Sequence, residues 1–184
     1  MNEAAGRAEF AVWYVIQVFG GREASIMHKI EQLADSQTYN RVFTPRRVIM
    51  RKRKGEWISQ EELLFPGYVF VDTASPEAFH KELSCVPAMT KLLASGDIGD
   101  RKFIPVSDDE KALICAFTGE EGNVMGMSKG VIEGDRAIIM SGPLVGKEAL
   151  VRKIDRHKRV AWIEADMFGR KLAFKVGLEI VKKR

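Results

Sequence analysis

The run Leu64-Phe65-Pro66-Gly67-Tyr68-Val69-Phe70-Val71 constrains this chain more than any other segment. Its aromatic and β-branched residues favour an extended strand, whereas Pro66-Gly67 turns the chain sharply at the strand's entry. Phe65, Tyr68 and Phe70 stand at i, i+3 and i+5, which cannot put all three on one face of an uninterrupted strand. The bend can bring Phe65 round, creating an apolar depression with Tyr68 and Phe70 at its edge. The same rings could equally fill a core, as buried aromatics commonly do.

With 184 residues, of which 46% are hydrophobic, the chain can build one ordinary domain or two small ones. Phe10 to Phe19 is too short to span a bilayer and lacks a cleavage site, so a cytoplasmic protein with no membrane partner is expected. Charge divides the chain unevenly. Residues 129 to 184 hold 14 Lys and Arg against 7 Asp and Glu, a net +7, whereas residues 1 to 128 sum to −3. Such asymmetry suggests two modules with different partners, the basic one recognised electrostatically.

Residues 1 to 9 have no periodicity and are expected to be disordered. Ala11 to Phe19 read as a strand, and Ala24, Ile26, Met27, Ile30, Leu33 and Ala34 form the apolar face of a helix. Arg41 to Arg53 and Glu56 to Asp72 read as extended strands around a Lys54-Gly55 tip. Ser75-Pro76-Glu77 predicts a helix start with serine as N-cap. Leu92 to Ala94 predicts a short strand, and Ser107 with Glu110 predicts a capping box for a helix bearing Leu113, Ala116 and Phe117 on one side. Thr118 to Lys129 lacks pattern and reads as a linker. Beyond it, short strand-like runs separated by turns predict a small β-barrel. Strands and helices mixed without a repeating βαβ unit make the class α+β.

Nothing here assembles a catalytic site. Gly142-Pro143-Leu144-Val145-Gly146-Lys147 has three residues between its glycines where a phosphate loop needs four, and Glu148 replaces the Ser or Thr that would hold magnesium. Asp108-Asp109-Glu110 fits a helix first turn. His28, His80 and His157 are scattered and have no Ser or Cys nucleophile beside them. Cys85 and Cys115 lack ligand spacing, so no metal and no cofactor are expected, and the chain is not read as an enzyme.

Two basic runs remain. Arg46, Arg47, Arg51, Lys52, Arg53 and Lys54 put six cations into nine positions around a hairpin tip. Solvated edge-strand charges and contact with nucleic-acid phosphates both fit this run. The second run is Lys153, Arg156, His157, Lys158 and Arg159, followed by Arg170, Lys171 and Lys175. Between them Ala161, Ile163, Ala165 and Met167 alternate inward, which turns Trp162 outward. An indole beside a cationic turn is a platform for an unpaired base, although it could also pack against another part of the chain.

The segment from Phe65 to Val71, Trp13-Tyr14-Val15 near the start, Gly134-Asp135, the Gly142 to Gly146 turn and Phe168-Gly169-Arg170 together resemble the NusG family of transcription elongation factors. The resemblance implies a mixed α/β sandwich over residues 10–117, a linker over 118–129 and an SH3-like KOW barrel over 130–184. One departure is Ala149, where KOW motifs usually carry a second glycine able to take positive φ. By position, Phe65, Pro66, Tyr68 and Phe70 match residues that contact the RNA polymerase clamp helices, and Leu92, after Val86-Pro87, matches a further contact. The family also implies proximity of the Arg46 to Lys54 run to the nontemplate DNA strand. "GPLVGKEA", "IDRHKR" and "FGRK" resemble the LoaP class of specialised NusG paralogs, processive antiterminators whose implied target is an RNA hairpin in a leader transcript. A general NusG factor recruiting a termination factor or the ribosome, or a ribosome-associated KOW protein, are the alternatives. A monomer is expected.

Overall fold

A computed structural model describes residues 12–88, 90–96, 100–120, 122–133 and 136–183. The expectations for residues 1 to 9, for Ala11 and for Gly134-Asp135 lie outside them. In chain order the elements begin with β1 (Trp13–Val18), α1 (Glu23–Leu33), β2 (Arg41–Phe43), β3 (Arg46–Arg53), β4 (Glu56–Leu63) and β5 (Tyr68–Asp72). Next come α2 (Pro76–Leu83), β6 (Thr90–Leu92), β7 (Ala94–Ser95), β8 (Lys102–Phe103) and α3 (Asp108–Thr118). The rest is β9 (Val124–Met125), β10 (Ser128–Glu133), β11 (Arg136–Ser141), β12 (Val151–Asp155), β13 (Val160–Met167) and β14 (Arg170–Lys183).

These elements form two compact units. Among the described residues, one contains those up to Thr44 and those within Pro66–Ser107; the other contains Pro45–Phe65 and those from Asp108 onward. This division differs from the consecutive segments expected from sequence. The β3–β4 hairpin and α3 belong with the C-terminal strands, because the contacts that bury them lie there.

In the first unit a four-stranded antiparallel sheet runs in the order β2-β5-β1-β6. Alternation sends Val69 and Val71 of β5 and Ile16 and Val18 of β1 into a core with Ile26 and Ile30 of α1 and Phe79 and Leu83 of α2. Trp13, Phe43 and Phe70 form a separate aromatic cluster, with Trp13 edge-on to Phe43 at 5.0 Å between centroids. The Pro66-Gly67 turn has its own anchor. Gly67 adopts φ +86°, its carbonyl accepts from the Val18 N–H at 2.9 Å, and its N–H donates to the buried Glu23 carboxylate at 2.7 Å.

The second unit combines a three-stranded sheet, β4-β3-β9, with a five-stranded one, β11-β10-β14-β13-β12. Ala161, Ile163, Ala165 and Met167 are all buried, as their alternation predicts, and so are Phe174 and Val176 opposite them. Gly177 lets the hairpin approach β14. A Cβ there would lie 2.5 Å from the Val48 carbonyl oxygen and 2.0 Å from the Met127 sulfur.

Several local expectations need correction. The stretch read as a linker contains β9, which pairs in parallel with β3 through Arg46↔Val124 and Arg47↔Met125. Met125 and Ser128 are fully buried there. The strand expected from Arg41 to Arg53 breaks at Thr44-Pro45, since proline has no N–H to give the ladder. Leu92 ends β6, and Ala94 starts β7 in another sheet. Ser75 begins α2 without a side-chain cap, and its N–H instead donates to Thr73 Oγ1 at 2.9 Å. On α3, Ile114 and Phe117 are buried but Ala116, expected on the apolar side, is exposed; Glu110 also accepts the Phe168 N–H, tying the helix to the β13–β14 turn. Ala149 lies in a 3₁₀ turn (Glu148–Leu150) and has no positive φ. Among the described residues, no helix is long and apolar enough to cross a membrane.

Candidate nucleic-acid interface

The six hairpin cations do unlike things. Arg47 points inward and is 7% exposed; it donates to the Lys175 carbonyl at 2.7 Å and to Glu62 at 3.2 Å. Arg51 bonds the other oxygen of Glu62, and Arg46 pairs with Glu61 at 3.0 Å. The buried Arg47 thus serves the fold, which corrects its expected place on the nucleic-acid surface. Lys52, Arg53 and Lys54 at the tip are exposed and form no ion pair among the described residues. Ion pairs to Glu61 and Glu62 neutralise the base of the hairpin, while at the tip three cations stand against Glu56 alone, which leaves the excess positive charge there.

Burial alone would raise the Glu62 carboxyl pKa, but hydrogen bonds from Arg51 and Arg47, with their charges, hold it below the ordinary carboxylate range. A depressed pKa contributes stability that is present above the unfolded value and lost as pH falls through the folded one. Glu62→Gln should therefore lower stability at neutral pH, by about 1.5–3 kcal/mol for hydrogen bonds to charged groups. It should also flatten the fall in melting temperature as pH drops below the ordinary carboxylate range. Melts stepped downward from neutral pH check this, and an unchanged slope in the variant would contradict the assignment.

On the outer barrel face, register sets three side chains in one row. Lys153 of β12 and Lys175 of β14 are the cross-strand neighbours of Trp162, and their ammonium groups lie 5.5 and 5.4 Å from its ring centroid. Lys171 is held by Glu164 at 3.5 Å, and Arg170 is exposed. In the β12–β13 turn, Arg156, His157 and Lys158 are exposed, with Lys158 3.8 Å from Asp155. Arg159 takes φ +53°, pairs with Glu179 at 3.0 Å and lays its guanidinium 4.4 Å from the Trp57 centroid.

The two basic runs meet. Both border one cleft of about 530 Å³, where Lys52 and Arg53 of the hairpin face His157 and Lys158 of the barrel turn, with Trp57 and Trp162 in the walls. Sequence reasoning missed Trp57, whose only signal was an aromatic beside a cationic tip.

Four of the five side chains expected to dock the polymerase are buried. Phe65 is 3% exposed and packs edge-on against Phe174 at 4.9 Å and Phe168 at 5.8 Å. Tyr68, Phe70 and Leu92 are likewise buried, and only Pro66 of the five is exposed. No group of three metal-ligating side chains occurs among the described residues. His80 packs on Phe103, with its pKa lowered by burial and then by Arg101.

A family model described as "Transcription termination factor nusG" matches residues 11–114, and one described as "KOW motif" matches residues 133–163. The chain belongs to the NusG family. The protein named transcription termination/antitermination protein NusG from Borreliella burgdorferi is 24% identical over 179 residues, covering 93% of this chain and 97% of that one. The like-named protein of Streptococcus pyogenes serotype M1 is 28% identical over 173 residues, covering 90% and 92%. A solved structure described as "Domain interaction in Thermotoga maritima NusG" shares the fold, with TM-score 0.55 and 22% identity over 92% of this chain and 93% of that one. The α+β class expected from sequence, a NusG N-terminal domain with a KOW domain, is the class found.

Proposed function

We propose that this NusG-family chain is a transcription elongation and antitermination factor of the LoaP class. Its N-terminal region docks on the RNA polymerase clamp helices through the segment around Phe65, Tyr68, Phe70 and Leu92, and its basic C-terminal region binds an RNA hairpin in a leader transcript. The observation that supports RNA binding best is the Lys153–Trp162–Lys175 row beside the exposed cations of the β12–β13 turn. Cations supply affinity without sequence information, whereas an aromatic face admits an unstacked base. A protein-recruiting KOW domain is the second reading, favoured by Ile138 and Met140, 44% and 64% exposed on the edge strand β11.

A polarisation titration of the full chain against leader-hairpin and scrambled RNA tests the proposal. Charge reversal at Arg156 and Lys158 should weaken binding and reduce the log-log salt slope by roughly 0.7 to 0.9 per lost phosphate contact. Trp162→Ala should cost about 1 to 3 kcal/mol with the slope nearly unchanged. Equal, weak binding to both RNAs would favour the protein-recruiting reading.

A further inference from the structure

The cleft between the hairpin and the barrel has features that a flat phosphate-binding patch does not need. Its volume of about 530 Å³ lies in the roughly 300–1,000 Å³ range of sites that enclose small ligands. Trp57 and Trp162, one from each side, are only half-buried, so each leaves ring surface to the cleft. Arg159, which pairs with Glu179, lies 4.4 Å from the Trp57 centroid and braces that ring from outside the cleft lining. The acid in the lining, Glu62, already bonds Arg47 and Arg51, so it offers little repulsion to an incoming anion. Lys52 and Arg53 stand at the rim and form no ion pair among the described residues, although Glu56 is the cross-strand neighbour of Arg53.

We infer that this cleft takes an unpaired nucleotide from a single-stranded segment, with its base against the tryptophans and its flanking phosphates on Lys52, Arg53 and Lys158. The inference rests on the proposal that the chain binds nucleic acid, and adds that the β3–β4 hairpin is half of the site. A paired base cannot use it, because its faces are occupied within the helix and an A-form duplex shows proteins mainly backbone and a shallow groove. The chemistry is shared by a loop of nascent RNA and by a displaced DNA strand.

The full chain would be titrated with labelled oligouridine, oligothymidine and a blunt RNA duplex, following polarisation and tryptophan quenching. Single strands should bind more tightly than the duplex. Trp57→Ala should weaken them about 5- to 150-fold at a preserved salt slope, corresponding to about 1 to 3 kcal/mol per stacked base. Trp57→Phe should restore much of the loss, and if Trp57→Ala fails to fold, the exposed pair Lys52→Glu and Arg53→Glu carries the test by lowering affinity and slope together. Preference for oligouridine or oligothymidine assigns the source of the strand. Duplex binding as tight as single-strand binding, or indifference to both Trp57→Ala and the charge-reversed pair, overturns this inference while leaving RNA binding by the barrel intact. Failure of the unmodified chain to bind any of the probes or the leader hairpin overturns both.

Discussion

Phe65→Ala is expected to destabilise the protein by about 3–5 kcal/mol, the usual cost of emptying a buried phenylalanine site. The ring touches Phe168 and Phe174 and reaches almost no solvent, so its removal opens a cavity lined by two aromatic edges. At about 2–4 °C per kcal/mol for a chain of this size, the melting temperature should fall on the order of 10 °C. A melt within a degree or so of the parent would show that the packing around Phe65 is not as described. The result also governs how polymerase binding is read. Loss of association in this variant identifies a docking residue only at a temperature where the variant is folded, and contact through this ring requires that it first be uncovered.

The second large effect is expected at Gly142, where φ is +95° and an added Cβ would sit 2.6 Å from both the Met127 carbonyl oxygen and Ser128 Cα. Both obstacles are backbone, so neither can swing aside as a side-chain end would. Ser128 is fully buried, and its hydroxyl accepts the Leu144 N–H at 3.1 Å, which locks the turn to the start of β10. Gly142→Ala should cost about 2–5 kcal/mol, adding roughly 1–2 for left-handed backbone to about 1–3 for overpacking. Gly146→Ala is the control. That residue also has positive φ, at +71°, but an added Cβ meets nothing within 4 Å, so only the conformational part of the cost should appear. Equal losses in denaturant unfolding of the two variants would mean that close approach plays no part at Gly142.

The features legible in the sequence were those whose cause lies within a few residues. Alternation from Ala161 to Met167 announces which side chains turn inward, since a strand's period acts on neighbours two apart. Pro66-Gly67 announces a turn for the same local reason. The buried Glu23 carboxylate that holds the turn does not show, because it arrives from 44 residues away and looks like an ordinary acid in a helix's first turn. Charge counting found both basic runs but could not separate Arg47, whose guanidinium is buried against Lys175, from the exposed Lys52 and Arg53. Val124-Met125 was unreadable as a strand, since two residues carry no period. Trp57 was overlooked because its meaning depends on a turn about a hundred positions downstream.

The hydrogen bond from Arg47 to the Lys175 carbonyl spans 128 residues, with consequences for how the protein is made. During synthesis the β3–β4 hairpin leaves the ribosome early, and its adjacent strands can pair at once. β9 and β14, which complete its surroundings, emerge much later, at about 5–20 residues per second. For several seconds the guanidinium of Arg47 and the ring of Phe65 lack the partners that bury them. Closing so long a loop adds entropy cost only slowly with length but delays the contacts that reward it. The nascent hairpin therefore passes through an interval when its apolar side is open to chaperones or to another unfinished chain, and the second unit gains its full stability only once β14 has emerged and paired.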